Sequence, residues 1–331
     1  MGIEPKVSVL MPAYNAEKFI ALAIDSILSQ SFQDFEFVII NDGSTDKTEQ
    51  IILSYADQRI RYIKNDINLK LIATLNKGFD LCLGQYIVRM DADDISLPNR
   101  IERQVQFMDE NPEIGLCGTA FESFGFIEGP YFYKRNDEDI RIRFLHECHM
   151  LHPSIILRTE IIRQNNLHMT ILHGEDLDFF IRTAQHTKLA NLPEVLIRYQ
   201  QLPESMSKAN SEITEIHCTK IQLELFKKIN PNFTEDEVRL YRAIAYKDFK
   251  SIGNRLYEVY NILRKLLQGN AQQMVLSQEA LINYLKELWI QIILNVKGFN
   301  LKFYLSISDL NKLLDINPLI NGKALIKNYL K

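Results

Sequence analysis

The chain has 331 residues, a formal net charge of −4, 46% hydrophobic and 24% charged residues, and four cysteines. This is the composition of an ordinary globular protein long enough for about two units. It excludes fibrous and low-complexity chains, and Cys82, Cys117, Cys148 and Cys218 lie too far apart for a Cys-x-x-Cys pair, which argues against a disulfide framework or zinc ribbon and fits a reducing cytosol.

The charge is uneven. Residues 211–331 carry 17 Lys and Arg against 12 Asp and Glu, while residues 1–210 carry 21 against 30. An acidic first part argues against nucleic acid as a partner, and a mildly basic tail suits an anionic membrane surface. The first residues lack the basic-then-apolar order of a signal peptide, and no run approaches ~18 apolar residues, so no membrane span is expected.

In chain order, Val7 to Met11 predicts a short strand, broken by Pro12-Ala13-Tyr14-Asn15. Phe19, Ile20, Ala23, Ile24, Ile27 and Leu28 recur at helical spacing within a helix over 17–29. Phe35 to Ile40 is a second strand ending in Asn41-Asp42-Gly43-Ser44-Thr45-Asp46, and a helix from about Lys47 to Tyr55 follows, capped by Thr45 or Asp46. Ile60 to Lys64 is a third strand, Leu71 to Leu83 a helix, and Tyr86 to Met90 a fourth strand. Such alternation predicts an α/β fold, a mostly parallel sheet flanked by helices in a Rossmann-like half, with ligands collecting at the carboxyl ends of the strands. The loops at 12–15, 42–44 and 91–94 all follow strand ends and are expected to share one crevice.

The fourth strand runs directly into Asp91, Asp93 and Asp94. Carboxylates crowded at a buried strand end repel one another and resist desolvation, so the cluster calls for a cation. The Asp-x-Asp spacing suits Mg²⁺ or Mn²⁺ held by one or two carboxylates, with phosphate oxygens and water completing the shell. Aspartates also cap helices, and a helix is predicted over 98–111, but one cap needs one aspartate. The chain has neither Gly-x-Gly-x-x-Gly nor Gly-x-x-x-x-Gly-Lys, so a metal on the aspartates is the simplest substitute for a glycine-rich phosphate cradle. Asp42 suits a hydrogen bond from a base N–H and Tyr14 suits contact with a base or ribose, although Asp-Gly-Ser is also a common turn.

After a strand at Ile114 to Thr119 the pattern becomes irregular. His146, His149 and His152 are spaced by three, which invites a zinc reading. The order is not His-Glu-x-x-His, however, and Pro153 limits a helix there, so surface histidines with one site-facing His152 are expected. Glu175 and Asp176 open a helix running to Ala184, where an acidic pair suits the helix dipole and equally a general base. From Ser211 onward several helices are expected. Leu281, Leu285, Leu288, Ile292 and Val296 form an apolar stripe near Trp289 and Phe299, for packing, oligomer contact or a membrane surface.

Taken together, five segments resemble the glycosyltransferase family 2 enzymes of the GT-A fold, over roughly residues 5–205. They are Val7 to Asn15, Asn41 to Asp46, Gly84 to Asp94, Arg100 to Gln104, and Glu175 to Asp178 followed by Asn191 to Pro193 and Tyr199. The resemblance implies a catalytic domain over 1–210 and a helical region over 211–331. It implies an inverting transfer of a sugar from a nucleotide-diphosphate donor, most often a UDP-sugar, to a hydroxyl of a glycan or lipid-linked acceptor in cell-surface polysaccharide synthesis. The setting is cytoplasmic, with peripheral contact at the inner membrane. By position, Pro12, Tyr14, Asn15 and Asp42 would line the nucleoside pocket. Asp91 would contact ribose or metal, Asp93 would hold Mg²⁺ or Mn²⁺ with His152 as a further ligand, and Asp176, or Glu175 beside it, would be the base. Two departures stand out. Asn41 replaces an aspartate, and Lys70 in Asn68-Leu-Lys-Leu71 replaces a glycine and is available to a donor phosphate or an acidic sugar. The rival readings are a sugar nucleotidyltransferase, which would show a glycine- and basic-rich loop after the first strand, and a catalytically silent binding or scaffold protein, which would be expected to lose Asp93 or Asp176.

Overall fold

The computed structural model describes residues 4–170, 173–201, 211–252 and 255–295, together with Leu310, Lys312 and Leu314. The chain forms two compact units. One comprises residues 1–140 and 148–214, the other residues 141–147 and 215–331.

In the first unit β1 (Val7–Ala13), β2 (Phe35–Asn41), β3 (Ile60–Lys64) and β4 (Tyr86–Arg89) are parallel in the order β3-β2-β1-β4. Helices α1 (Ile20–Leu28), α2 (Thr48–Leu53) and α3 (Leu71–Leu81) make the connections. Every residue of β1 is buried, as a central strand covered on both faces requires. The α1 stripe of Ile20, Ala23, Ile24 and Ile27 supplies part of that cover. Ala13 pairs with Asn41 at the ends of β1 and β2, and the Asp42 N–H donates to the Ala13 carbonyl at 2.8 Å. The two loops therefore leave the sheet side by side.

The irregular stretch holds more strand than its sequence suggests. β6 runs from Ile114 to Gly125 rather than ending at Thr119, and β8 (Ile156–Arg158) and β9 (Lys188–Gln201) complete a sheet ordered β3-β2-β1-β4-β8-β6-β9-β5 among the described residues. β5 is Ile95–Ser96, and β7 (Gly129–Tyr131) pairs with β6. The second half adds antiparallel pairs, β8 with β4 and β6, and β5 with β9. β9 hides because Pro193 interrupts it. The register against β6 jumps from Thr119↔Leu192 to Ala120↔Val195, so Pro193 and Glu194 form a bulge where no ladder N–H is needed.

Beneath the end of β4 lies Arg100, the first residue of α4 (Arg100–Glu110) and fully buried. Its Nη2 donates to the carbonyls of Arg89 and Pro153, each at 2.8 Å, and its Nε donates to Gln104 Oε1 at 3.1 Å. Gln104 in turn donates to the Ser154 carbonyl at 2.8 Å. Burial pulls the Arg100 pKa down to about 9, and the carbonyl bonds offset that cost. The pair thus ties α4, β4 and the single turn His152–Ser154 together. The N-cap of α4 is Asn99, with no side-chain cap, so none of the three aspartates caps this helix.

Two further loops meet at Gly43. Its φ is +68°, and a Cβ there would stand 2.7 Å from the Ile67 carbonyl carbon and 2.8 Å from the Asn68 nitrogen. Glycine is what permits the 65–70 segment to close over the 42–46 loop.

The second unit is helical. Glu235–Ala245, Leu256–Gln273 and Gln278–Asn295 pack on one another, and Thr234 and Glu237 form a capping box at the start of the first. Leu281, Leu285, Leu288, Trp289 and Ile292 are buried, so this stripe is spent on packing, while Val296, Lys297 and Phe299 lie outside the described residues. Among the described residues no helix is long and apolar enough to cross a membrane.

Two substitutions test this construction by denaturant unfolding. Arg100→Leu is expected to cost roughly 3 kcal/mol, because it unpairs buried carbonyls of Arg89 and Pro153. Gly43→Ala is expected to cost about 2 kcal/mol from the positive φ and the backbone clash together; a loss below about 0.5 kcal/mol in either would contradict the account.

Candidate functional site

The loops after β1 and β2 are built mainly from amide chemistry. Asn15 adopts a left-handed conformation, φ 49°. Its N–H donates to Ser44 Oγ at 3.0 Å, and its Oδ1 accepts from the Thr45 N–H at 2.9 Å, stapling the two loops. Pro12 is buried in β1, whereas Tyr14 is 48% exposed at the loop tip and free to meet a flat ligand. Asn41, fully buried, donates to Tyr62 OH at 3.1 Å and accepts from the Ser44 N–H at 3.0 Å. An aspartate could accept but not donate, so the departure at 41 matches its local partners.

Asp42 is buried with Oδ1 satisfied internally. It accepts from Asn65 Nδ2 at 2.8 Å and from the Leu69 N–H at 2.9 Å. Lys77 Nζ fixes Asn65 from behind at 2.6 Å. Asn68 Oδ1 accepts from the Lys70 N–H at 2.8 Å, and Lys70 itself has φ 72°. The lysine occupies a glycine-like backbone, a strained conformation kept at a loop edge with its side chain exposed.

At the end of β4 the carboxylates of Asp91, Asp93 and Asp94 offer ligand atoms within 4.8 Å of one another. Asp94 is buried; its Oδ1 accepts from the Gln200 N–H at 2.9 Å, while its Oδ2 has no partner among the described residues. Burial first, and then the charge of Asp91, raises the Asp93 carboxyl to about 6, and burial with both neighbours pushes Asp94 well above the usual carboxylate range. Both are signs of uncompensated negative charge. An all-oxygen donor set with an orphaned buried carboxylate oxygen fits a hard divalent cation. Tyr199, on β9, lies in the same field, and burial followed by Asp91, Asp94 and Asp93 raises its phenol.

One cation is built in. Arg89, its side chain 3% exposed, makes an ion pair through Nη1 with Asp91 Oδ2. Burial works against its charge, and Asp91, then Asp176 and Asp94, more than offset that, so its pKa is raised.

The helix α7 (Glu175–Thr183) brings the second acidic group. Asp178 is taken up by Arg182 at 2.8 Å and by Thr170 Oγ1 at 3.1 Å, which leaves Glu175 and Asp176. His152 Nδ1 lies 3.0 Å from Asp176 Oδ1, and Phe180 meets the imidazole ring edge-on at 6.0 Å. Desolvation raises the Asp176 carboxyl, but His152 and then Arg89 outweigh it and hold it low, whereas burial and the charge of Asp176 raise Glu175.

The three histidines are not surface residues. His146, His149 and His152 are 1%, 7% and 3% exposed. His146 belongs to the helical unit and stacks on Tyr284 at 5.8 Å, His149 meets Tyr133 at 4.9 Å, and His152 pairs with Asp176. They form no joint metal group, and His152 stands outside the ligand set of Asp91, Asp93 and Asp94 among the described residues. Sequence reasoning gave no role to Arg89, whose signal was a lone charge inside an apolar strand, and noted Arg100 to Gln104 only as a matching segment, without the clamp that Arg100 and Gln104 make. A cavity of about 610 Å³ lies at the opposite, amino ends of the strands, lined by Lys6, Gly84, Arg158 and Arg163 among others, and belongs to none of this chemistry.

Comparison with known proteins bears on the same strand-end loops. An "Uncharacterized glycosyltransferase" of Haemophilus influenzae is 30% identical over 292 residues, covering 79% of this chain and 87% of that protein. The "O-antigen biosynthesis glycosyltransferase WbnJ" of Escherichia coli is 28% identical over 232 residues, covering 67% and 89%. Among solved structures, residues 1–349 of TarS from S. aureus, in complex with UDP-GlcNAc, align with a TM-score of 0.60 at 18% identity over 86% of each chain, a likeness of fold. The GT-A architecture expected from the sequence is the one observed. The profile described as "Glycosyl transferase family 2" matches residues 8–174, from β1 to the threshold of α7 and so across both strand-end loops and the whole acidic cluster; the chain belongs to that family.

Proposed function

We propose that the protein transfers a sugar, with inversion, from a nucleotide-diphosphate sugar, a UDP-sugar before others, to a hydroxyl of a glycan or lipid-linked acceptor. The observation that carries this reading is the convergence of Asp91, Asp93 and Asp94 within 4.8 Å at the carboxyl end of a buried strand. It sits beside a second, separately paired carboxylate, Asp176. The UDP-GlcNAc complex of TarS supports the donor class, and the O-antigen role of WbnJ supports a place in cell-surface polysaccharide synthesis. The setting we assign is cytoplasmic with peripheral membrane contact. The catalytic part is residues 1–210 and the helical part, 211–331, serves packing, oligomer or membrane-surface contact.

Asp91 and Asp93, with Asp94 behind them, would hold Mg²⁺ or Mn²⁺. When bound, that ion would neutralise charge developing on the departing diphosphate. Tyr14 offers its exposed ring to the base, and Asp42 would accept from a base N–H through the carboxylate oxygen that Asn65 and Leu69 do not use. Asn68 and Lys70 flank Leu69, whose N–H donates to Asp42, and would border the nucleoside pocket. Asp176 accepts the proton of the acceptor hydroxyl as its oxygen bonds to the anomeric carbon, and the sugar–phosphate bond breaks with its electron pair leaving on the diphosphate. A single displacement from the face opposite the leaving group inverts the centre. His152 orients that base, and Glu175 next to it shapes the local field.

Calorimetry against UDP-, GDP- and dTDP-sugars, each with Mn²⁺ and with chelator, tests the reading; binding of none of them would sink it. Asp93→Ala is expected to weaken Mn²⁺-dependent donor binding at least ~10-fold. Asp176→Asn is expected to keep donor affinity within about threefold and to lower kcat by roughly 10²–10⁴-fold. Equal donor affinity in wild type and Asp93→Ala would remove the metal assignment, and full turnover by Asp176→Asn would remove the base.

A further inference from the structure

We propose that Arg89 is a positioning residue, the permanent internal counter-charge that holds Asp91 and Asp176 in one frame and lets the acidic loop keep its shape before any cation binds. The proposal rests on the functional reading above and adds a role for a residue which that reading does not use. Arg89 is the only charged residue of β4, and its guanidinium is buried and ion-paired to Asp91. Neither its Nε nor its Nη1 makes a hydrogen bond among the described residues, so the contact of Nη1 with Asp91 is an ion pair outside any local hydrogen-bond network.

Its backbone is equally committed. The Arg89 N–H donates to the Ile155 carbonyl at 3.1 Å, and the Arg89 carbonyl accepts from Arg100, which also donates to the Pro153 carbonyl. Pro153 follows His152, and His152 Nδ1 lies 3.0 Å from Asp176. One end of Arg89 thus fixes the strand against the turn that carries His152, and the other end meets Asp91. Both acidic groups are referred to a single residue. Three carboxylates within 4.8 Å would repel one another in the absence of a positive partner. With Arg89 present, a divalent cation is needed for ligand chemistry and not for the integrity of the loop.

The test compares wild type, Arg89→Met, Arg89→Lys and Arg89→Met combined with Asp91→Asn, by thermal unfolding in EDTA and in Mn²⁺, with calorimetry of UDP plus Mn²⁺ on each. In EDTA, Arg89→Met is expected to unfold roughly 5–10 °C below wild type. Mn²⁺ should restore at least half of that loss, a shift at least twice that of wild type, because the cation then supplies the missing charge. Arg89→Lys, which keeps the charge, should stay within about 3 °C of wild type. The double variant, which removes charge and counter-charge together, should recover much of the loss without Mn²⁺. A purely structural arginine predicts the reverse pattern: equal Mn²⁺ shifts in Arg89→Met and wild type, no rescue by lysine, and a double variant no better than the single one. Any of these overturns the proposal. Should Arg89→Met not fold, Arg89→Lys and the double variant decide by the same criteria. A wild type that binds neither Mn²⁺ nor UDP would overturn the functional reading, whereas a wild type that binds both with unaltered Mn²⁺ dependence in Arg89→Met would overturn the Arg89 role alone.

Discussion

Like charges brought within a few ångströms at the end of a buried strand are the constraint on which the first unit depends. Asp91, Asp93 and Asp94 lie within 4.8 Å of one another, and partial exposure relieves only Asp91 and Asp93, while Asp94 is buried. Around them the chain deploys two buried arginines with separate tasks. Arg89 meets the carboxylates from the strand side, and Arg100, eleven residues on, meets none of them directly. Arg100 spends its donors on backbone carbonyls, which keeps β4, α4 and the His152 turn in register while Arg89 carries the charge. β9 contributes from the far side through the Gln200 N–H, which holds the most buried of the three aspartates. The acidic cluster is thus a product of strand, helix and a distant edge pairing acting together.

The loops after β1 and β2 are organised by hydrogen bonds rather than charge. Asn41 and Asn65 each use an amide to do what a carboxylate cannot, accepting at one end and donating at the other, while Asn15 bridges two loops through its Oδ1 and its backbone N–H. Gly43 lets the 65–70 segment come within contact distance, and Lys70 accepts a left-handed backbone to complete the turn. Strain of this kind persists where neighbouring contacts over-determine the loop, and such places gather at ligand sites. These loops are therefore largely formed in advance, which on the proposed reading would lower the ordering cost of donor binding.

The histidine run shows how one sequence pattern can serve three environments. Residues spaced by three would share a helix face, yet the chain passes from the end of α5 (Asp137–Arg143) through a single turn into β8, so periodicity carries no spatial meaning there. His146 becomes part of an aromatic stack in the helical unit, His149 a core neighbour of Tyr133, and His152 the partner of Asp176. Burial of all three was invisible in composition, because histidine reads as polar until its partners are known.

The sequence by itself determined the alternation of β1 to β4 with α1 to α3, the loops at their carboxyl ends and the acidic cluster, because these rest on local periodicity and on charges adjacent in the chain. The family resemblance was legible for the same reason, being carried by short contiguous motifs. Tertiary structure alone decided the rest. β8 is too short to announce itself, and β9 is masked by Pro193 until the bulge against β6 accommodates it. The roles of Arg89 and Arg100, the pairing of His152 with Asp176 and the hold of Gln200 on Asp94 join residues separated by up to 106 positions. Contacts of that span leave no periodic trace, since they are set by which strands become neighbours and by where a buried charge must find its partner.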